Sequence, residues 1–354
     1  ITYARDIAMC DFAAITTHDL YVHPTTVFLD GALWKTIWDN QVAVINQYNS
    51  PNEFVLLQSW EYSVDSPQNV GDLCIYSRGS EIPITWSVFE EYQTPDLLFN
   101  GLRDWELETG IEVMAIPHHT AHATPGLTFD WSYYDPDFMP LVEIYSVHGS
   151  CEMPTTMGNR YPLLTGATDF TSAAMNKSGY YVQDGLAMGY KFGIMASGDS
   201  HDGHIGHSIS HTSNHNFQGP LSWTNLFGGA IRANHHYANG MVAVRAPSLT
   251  REGVFDSLWS RSCYGARGVG RPYLDFSING VQAGEDDSTV YLSSENDTRT
   301  ISFTVACGGG TSENTIERIQ IYKNNILWFD QEINDRVTTL ILNDTATVAG
   351  LYYD

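Results

Sequence analysis

The feature that most constrains the fold is a recurrence. Short runs that are rich in β-formers or wholly apolar return along the first two-thirds of the chain, at Phe12 to Thr16, Phe54 to Trp60, Leu73 to Tyr76, Val113 to Pro117, Leu141 to Tyr145 and Phe192 to Ala196. Apolar runs of this length read as parallel strands buried on both faces. Between them lie longer stretches of helical length, including Trp34 to Tyr48, Pro95 to Thr109 and Arg251 to Arg261. Strand and helix in alternation argue for an α/β barrel-like domain, and 354 residues leave room for a smaller domain beside it.

From about Pro272 the texture changes. Leu274 to Ile278, Thr300 to Val305, Arg318 to Tyr322 and Arg336 to Leu342 alternate apolar with polar residues. Turn-rich segments separate them, with Asn279-Gly280, Gly308 to Gly310 and Asn324-Asn325. That pattern predicts a small antiparallel β-sandwich over 272–354 behind a barrel over 1–271.

Charge narrows the partners. Asp and Glu number 41 against 17 Lys and Arg, a formal net charge of -24, and only four residues are Lys. Such a surface repels nucleic-acid phosphates and anionic lipid, and no basic stripe offsets it. It favours an extracellular or periplasmic setting. The sequence holds no apolar run long enough for a membrane span. Cys10, Cys74, Cys151, Cys263 and Cys307 are scattered, with no CxxC pair, so free thiols are expected rather than a zinc ribbon or a disulfide framework.

The chemistry gathers where the apolar runs end, which in a barrel is the mouth that carries the active site. His18 and Asp19 follow the first run (AITTHD), Glu61 the second (LLQSWEYS), and His118, His119 and His122 the fourth (MAIPHHTAH). His148 and Glu152 follow the fifth (VEIYSVHGSCE), and Asp199, His201, His204 and His207 the sixth (IMASGDSHDGHIGH). Imidazole and carboxylate are the ligands that hold two or three divalent ions close together. A single strand-end His is more often a hydrogen-bonded structural residue than a ligand. Five groups at one structural position have no such account from packing. His23, His211, His215, His235 and His236 read as structural or rim residues. Arg267 and Arg271, in RGVGRP after a helix, are candidates for gripping an anionic substrate, with a plain salt bridge as the equal alternative. Gly265 to Gly270 (GARGVG) lacks a following apolar helix and a phosphate-loop Lys, and reads as a turn. GxSxG and GxxxxGK[ST] do not occur.

These strand-end groups resemble the polymerase-and-histidinol-phosphatase (PHP) superfamily, and within it a branch of metal-dependent phosphoesterases. The matching stretches, from YARDIAMCDFAAITTHD through LLQSWEYS, AIPHHT, PLVEIYSVHGSCE and KFGIMASGDSHDGHIGH to LTREGVFDSLWSRSCYGARG and LDFSINGVQAGE, run in order through nearly the whole chain. The resemblance implies a distorted (β/α)7 TIM-like barrel holding one to three ions such as Zn, Mn or Fe. It implies His18, Glu61, His118, His148, Asp199 and His201 as metal ligands, with Glu61 as the bridging carboxylate. His119 and Glu152 adjoin His118 and His148 and remain alternatives to them. Two departures stand out. The family's GDLHxHT motif precedes the segment that here opens at Ile1, so either a longer protein carries that His pair or the site works without it. By themselves these residues hold one or two ions. Thr17 stands where the family usually has Asp, a place for orienting a ligand.

The expected function is phosphoester hydrolysis by metal-activated water. His119 or His148 would protonate the leaving oxygen, and Arg267 would offset phosphoryl charge. A small phosphorylated molecule or a phosphodiester is the expected partner, with self-association left open. The rival is a non-catalytic extracellular adhesion or structural module on a degenerate PHP fold. A metal-dependent amidohydrolase shares the ligand types but needs a metal-bridging Lys after a barrel strand, and the nearest, Lys191, precedes one.

Overall fold

The structure, a computed structural model, describes residues 1–19, 33–64, 70–87, 89–123, 126–163, 176–199, 205–206, 237–267, 271–285, 288–294, 296–308 and 315–345. It is a mixed α/β protein with several sheets and few helices. β1 (Phe12–Ala14) pairs in parallel with β2 (Val55–Tyr62). β2 then pairs antiparallel with β3 (Asp72–Ser77), and β3 antiparallel with β4 (Val113–His118). The sequence reading of Leu73 to Tyr76 as a parallel strand is therefore corrected. The residues between Tyr62 and Asp72 are fewer than the dozen or so that a parallel crossover takes, so the chain turns straight back.

β5 (Leu141–Ser146) pairs in parallel with β7 (Gly193–Ala196) and antiparallel with the short β6 (Gly149–Ser150). β8 (Gly240–Val244) and β9 (Cys263–Arg267) form an antiparallel pair. Gly265 to Arg267, expected in a turn, close β9, and Gly268 to Gly270 lie outside the described residues. The α-helices among the described residues are α1 (Leu33–Tyr48), α2 (Pro95–Thr109), α3 (Val182–Ala187) and α4 (Arg251–Trp259). Two of them start where the sequence supplies a cap. Thr94 accepts from Leu97 N with Pro95 behind it, and Thr250 accepts from Gly253 N.

Strand alternation sorts the side chains into two layers. On one face Trp60, Tyr62, Leu73, Ile75, Val113, Ala115 and Val142 pack against Trp38 of α1 and Leu98, Phe99 and Leu102 of α2. On the other, Val55, Leu57, Cys74, Tyr76, Met114, Ile116, Leu141, Met195 and Cys263 meet one another and Val254, Phe255 and Leu258 of α4. Each such aliphatic or aromatic side chain contributes about 1.5–3 kcal/mol when fully buried. The second layer matters for function, because the same face of the same strands continues upward into polar residues.

Beyond Arg271 the chain is antiparallel. One sheet runs β11 (Val281–Gln282), β10 (Tyr273–Ile278), β12 (Thr298–Ala306), β15 (Val337–Thr345), and a second consists of β13 (Ile316–Lys323) and β14 (Ile326–Asp335). Ile301 and Phe303 of the first sheet bury against Ile319 and Ile321 of the second. Asp344 of β15 ties the sheets together, 2.6 Å from Arg299 of β12 and 2.8 Å from Lys323 of β13. Asn279-Gly280 makes the tight turn read from the sequence, with φ 52° and 81°, the left-handed pair that Asn-Gly supplies at least cost. All five cysteines are free thiols.

Candidate metal centre

The ionisable residues of the centre obey one parity rule. On β2, Val55 and Leu57 face the inner layer, and Glu61 lies on that same face two pleats higher. On β4, Met114 and Ile116 are followed by His118. On β5, Leu141 is followed by Glu143. β3 runs the other way, so its first residue, Asp72, occupies the level its neighbours reach at their ends, paired across the ladder with His118. His18 joins by a parallel bridge to Glu61 that extends the β1–β2 ladder.

The contacts run continuously from strand to strand. Glu61 Oε2 lies 3.5 Å from His18 Nε2, and Glu61 Oε1 lies 2.7 Å from His118 Nε2. The other nitrogen of His118, Nδ1, stands 3.7 Å from Glu143 Oε1 and 3.8 Å from Asp199 Oδ2. Asp199 Oδ2 is 3.0 Å from His148 Nε2, and Asp72 Oδ2 is 3.4 Å from His119 Nε2. Glu61, Asp72, His118 and His119 are all buried, and each offers one ligand atom within 4.8 Å of the others.

Backbone geometry brings consecutive residues to one side. His118 ends β4, so the next side chain would ordinarily point away, but His119 has φ 35° and its ring turns back to lie 3.8 Å from that of His118. Asp199 is also left-handed, with φ 49°. A non-glycine residue held at positive φ costs on the order of 1–2 kcal/mol, and surrounding structure must impose it. A register shift between Glu143 and Tyr145 bends β5 at the same level, and such irregularities re-aim side chains beside functional sites.

The electrostatics of these buried groups favour a nearby positive charge. Burial, then the charges of Asp199 and Asp19, raises the Glu61 carboxyl well above its usual range. Burial and Glu61 do the same to Asp72, and burial pushes Glu143 up to about 7. Burial, then His118 and His122, holds His119 well below the ordinary imidazole value, and burial lowers His122 to about 4. At His148 burial opposes the charged form, but the charge and hydrogen bond of Asp199 prevail and raise it. Glu61, Asp72 and Glu143 ion-pair with imidazoles alone among the described residues, not with Lys or Arg. Asp72 Oδ1, His118 Nδ1 and His119 Nδ1 are buried with no hydrogen-bond partner among the described residues. Buried carboxylates and ligand atoms in this arrangement fit a metal ion, whose positive charge would offset the carboxylates and which these atoms could ligate.

Neighbouring residues fix the ligands. His18 Nδ1 is 2.6 Å from Ser63 Oγ, and Ser197 Oγ donates to Glu143 Oε2. Asp19, buried, accepts from Ser63 N at 3.1 Å and Ser87 N at 2.6 Å, so it clamps the loops around the centre. Thr17 Oγ1 donates to Gln41 Oε1 at 2.8 Å, tying its strand to α1 instead of holding a ligand.

Of the residues singled out from the sequence, His18, Glu61, His118, His119, His148 and Asp199 come together here. His122 lies behind them, its ring 5.5 Å from that of His119. His201, expected as a ligand, falls outside the described residues, as do His23, His204, His207, His211, His215, His235 and His236. Glu152 lies beyond β6, with its N–H on Ser150 Oγ. Arg267 stands at the end of β9 beside Tyr145, and Arg271 donates instead to the carbonyls of Ala8 and Met9. Sequence reasoning missed Asp72 and Glu143. The signal for Glu143 was present, a lone carboxylate in the apolar run Leu141 to Tyr145. Asp72 required knowing that β3 runs backwards.

Over residues 15–160 and 151–326 the chain matches a family described as a protein of unknown function (DUF3604), and it belongs to that family. A relative in Chlamydia pneumoniae is 24% identical over 292 residues, 82% of this chain and 40% of that protein. One in Chlamydia muridarum is 24% identical over 327 residues, 92% of this chain and 44% of its own length. Both are described as uncharacterized proteins, and the chain spans about two-fifths of their length. Among solved structures it is similar to a two-domain protein from Bacteroides vulgatus, described as containing a predicted PHP-like metal-dependent phosphoesterase. The TM-score is 0.41 with 12% identity, covering 98% of this chain and 81% of the other.

Proposed function

We propose that the chain is a metal-dependent phosphoesterase of PHP type, its strands forming a distorted barrel over 1–271 and its metal centre hydrolysing a phosphoester with water. The observation that carries this reading is the position of Glu61. Its two carboxylate oxygens face imidazoles from different strands, His18 on one side and His118 on the other, the arrangement of a carboxylate shared between two cations. The ordered strand-end motifs that resemble the PHP superfamily support it independently.

Zn, Mn or Fe bound at this centre would polarise a phosphoryl oxygen and make water nucleophilic near neutral pH. Glu61, Asp72, His118, Glu143 and Asp199 are the residues placed to hold such ions, with His18 at the open side. In the hydrolysis a water oxygen bonds to phosphorus, the bond from phosphorus to the ester oxygen breaks, and the leaving oxygen takes a proton. His148, 20% exposed at its side chain against 3% for His118, is placed to deliver that proton, with Asp199 orienting its ring. His119, buried and beside Asp72, is the less suitable donor, and we assign it to the metal side. The acidic, lysine-poor surface supports an extracellular or periplasmic setting. No helix among the described residues is long and apolar enough to cross a membrane.

The test is turnover of p-nitrophenyl phosphate and bis(p-nitrophenyl) phosphate by the purified chain with Mn, Zn or Fe(II). Hydrolysis that chelator removes and Asp199→Ala abolishes is the expected result. Metal bound stoichiometrically without turnover of any phosphoester would overturn the enzymatic reading. Neither metal nor turnover would favour a binding or structural module.

A further inference from the structure

The rim carries a permanent cation whose placement the metal centre does not explain. Arg267 ends β9 on the face it shares with Cys263 and Gly265. Cys263 belongs to the lower apolar layer. Gly265 approaches β7 so closely that a Cβ there would come 2.8 Å from Ala196 N, an approach open only to glycine. One pleat higher, Arg267 Nε donates to the hydroxyl of Tyr145 at 2.8 Å. Tyr145 is the strand partner of Ala196 and lies just past the irregularity that follows Glu143. β9 thus climbs the wall of the same layer and delivers Arg267 to the rim.

How the guanidinium is held points to its use. Its carbon lies 3.6 Å from the ring centroid of Tyr161 and 5.7 Å from that of Tyr145. Tyr237 closes the frame, its ring 5.6 Å from Tyr161 and 6.4 Å from Tyr145. The frame is anchored in turn, with Tyr145 donating to Ala238 O at 2.8 Å and Tyr237 to Pro162 O at 3.0 Å. Among the described residues Arg267 has no carboxylate partner, and its two terminal nitrogens meet no acceptor. The side chain is nevertheless exposed. An arginine stacked on one face and bonded along its inner edge has already lost its rotamer freedom, so its outer edge is a preformed fork for two oxygens.

We propose that Arg267 is a specificity-determining residue that makes phosphomonoesters the preferred substrates, a step that rests on the phosphoesterase reading above. A monoester offers three non-bridging oxygens, so two can meet the fork while one faces the metal-ligating residues. A diester has only two, so with one facing the metal-ligating residues a single oxygen is left for the fork. Tyr145 and Tyr161 are positioning residues that aim the fork.

The experiment measures kcat and KM for p-nitrophenyl phosphate and bis(p-nitrophenyl) phosphate with Mn, on the wild type, Arg267→Met and Arg267→Lys. Phenylphosphonate binding is followed by calorimetry on the same proteins, with Mn and with EDTA. Arg267→Met is expected to raise KM for the monoester about tenfold or more while changing the diester's kcat/KM less than about threefold. Arg267→Lys, which keeps the charge and loses the fork, is expected to fall between. Equal losses on both substrates, or an unchanged monoester KM, would overturn the proposal. If neither ester turns over, the phosphoesterase reading fails and calorimetry decides for Arg267 alone. Weaker phenylphosphonate binding by Arg267→Met than by wild type supports an anion fork, and equal binding contradicts it.

Discussion

The lower and upper halves of one strand face carry opposite chemistry on a shared scaffold. Below, Val55, Leu57, Cys74, Tyr76, Met114, Ile116 and Leu141 fill the interior with apolar groups. Above, on the same strands and the same parity, stand Glu61, Asp72, His118 and Glu143, as deeply buried as the residues beneath them. The lower half stabilises the fold by leaving water. The upper half costs stability, because three buried carboxylates repel one another and, among the described residues, form ion pairs with imidazoles but with no Lys or Arg. A protein keeps such an arrangement where function requires it, and the apolar layer beneath supplies the rigidity that holds ligand atoms in place.

The contrast can be broken from either side. The largest effect is expected above, where Glu61→Gln removes the shared carboxylate and should lower kcat for phosphoester hydrolysis by about 10³-fold or more, read in steady-state assays with Mn. Below, Met114→Ala should cost about 2–5 kcal/mol by opening a cavity, read as a lower midpoint in urea, with metal content per folded molecule unchanged. Asp72→Asn sharpens the comparison, because it should move two quantities oppositely. The chelated protein gains about 1–3 kcal/mol because a carboxyl whose ionisation burial opposes is replaced by a neutral amide, while the stabilisation added by Mn shrinks, both read from thermal melts.

The pH dependence follows from Glu143, whose carboxyl rises from 4.5 to about 7 on burial. A group with a raised folded pKa lends stability that is complete below its unfolded value and lost as pH climbs through the folded one. Chelated protein should therefore lose stability between about pH 4.5 and 7 on this account, and the added stability from Mn should grow across that window as the ion displaces the proton. The smallest effect belongs to the distant sandwich. Arg318→Ala breaks an exposed, solvent-screened ion pair with Asp330 and should leave the urea midpoint and the Mn affinity unchanged.

Much of the centre was legible because its residues cluster where apolar runs stop. His18, Glu61 and His118 each end or follow such a run, and the β2 and β4 runs lie close to where the sequence put them. Asp72 was hidden because it begins its run, and only the reversal of β3 carries it to the rim. Glu143 was hidden by its company, since one charge among Leu141, Val142, Ile144 and Tyr145 does not break an apolar pattern. The inward turn of His119 depends on a positive φ that no residue type announces. Arg267 was legible as a candidate anion-gripping residue, but not the way it is held, which depends on Gly265 pressed against β7 and on three tyrosines that converge from separate segments.

The central claim is that the polar end of this strand face holds a divalent cation. The most direct measurement is anomalous scattering at the Mn edge from crystals of the chain grown with Mn. The account requires a peak among Glu61, Asp72, His118 and Glu143, each with an oxygen or nitrogen within about 2.3 Å of an ion. An ordered structure in which those side chains bond only to one another, with the anomalous signal elsewhere or absent, would contradict it.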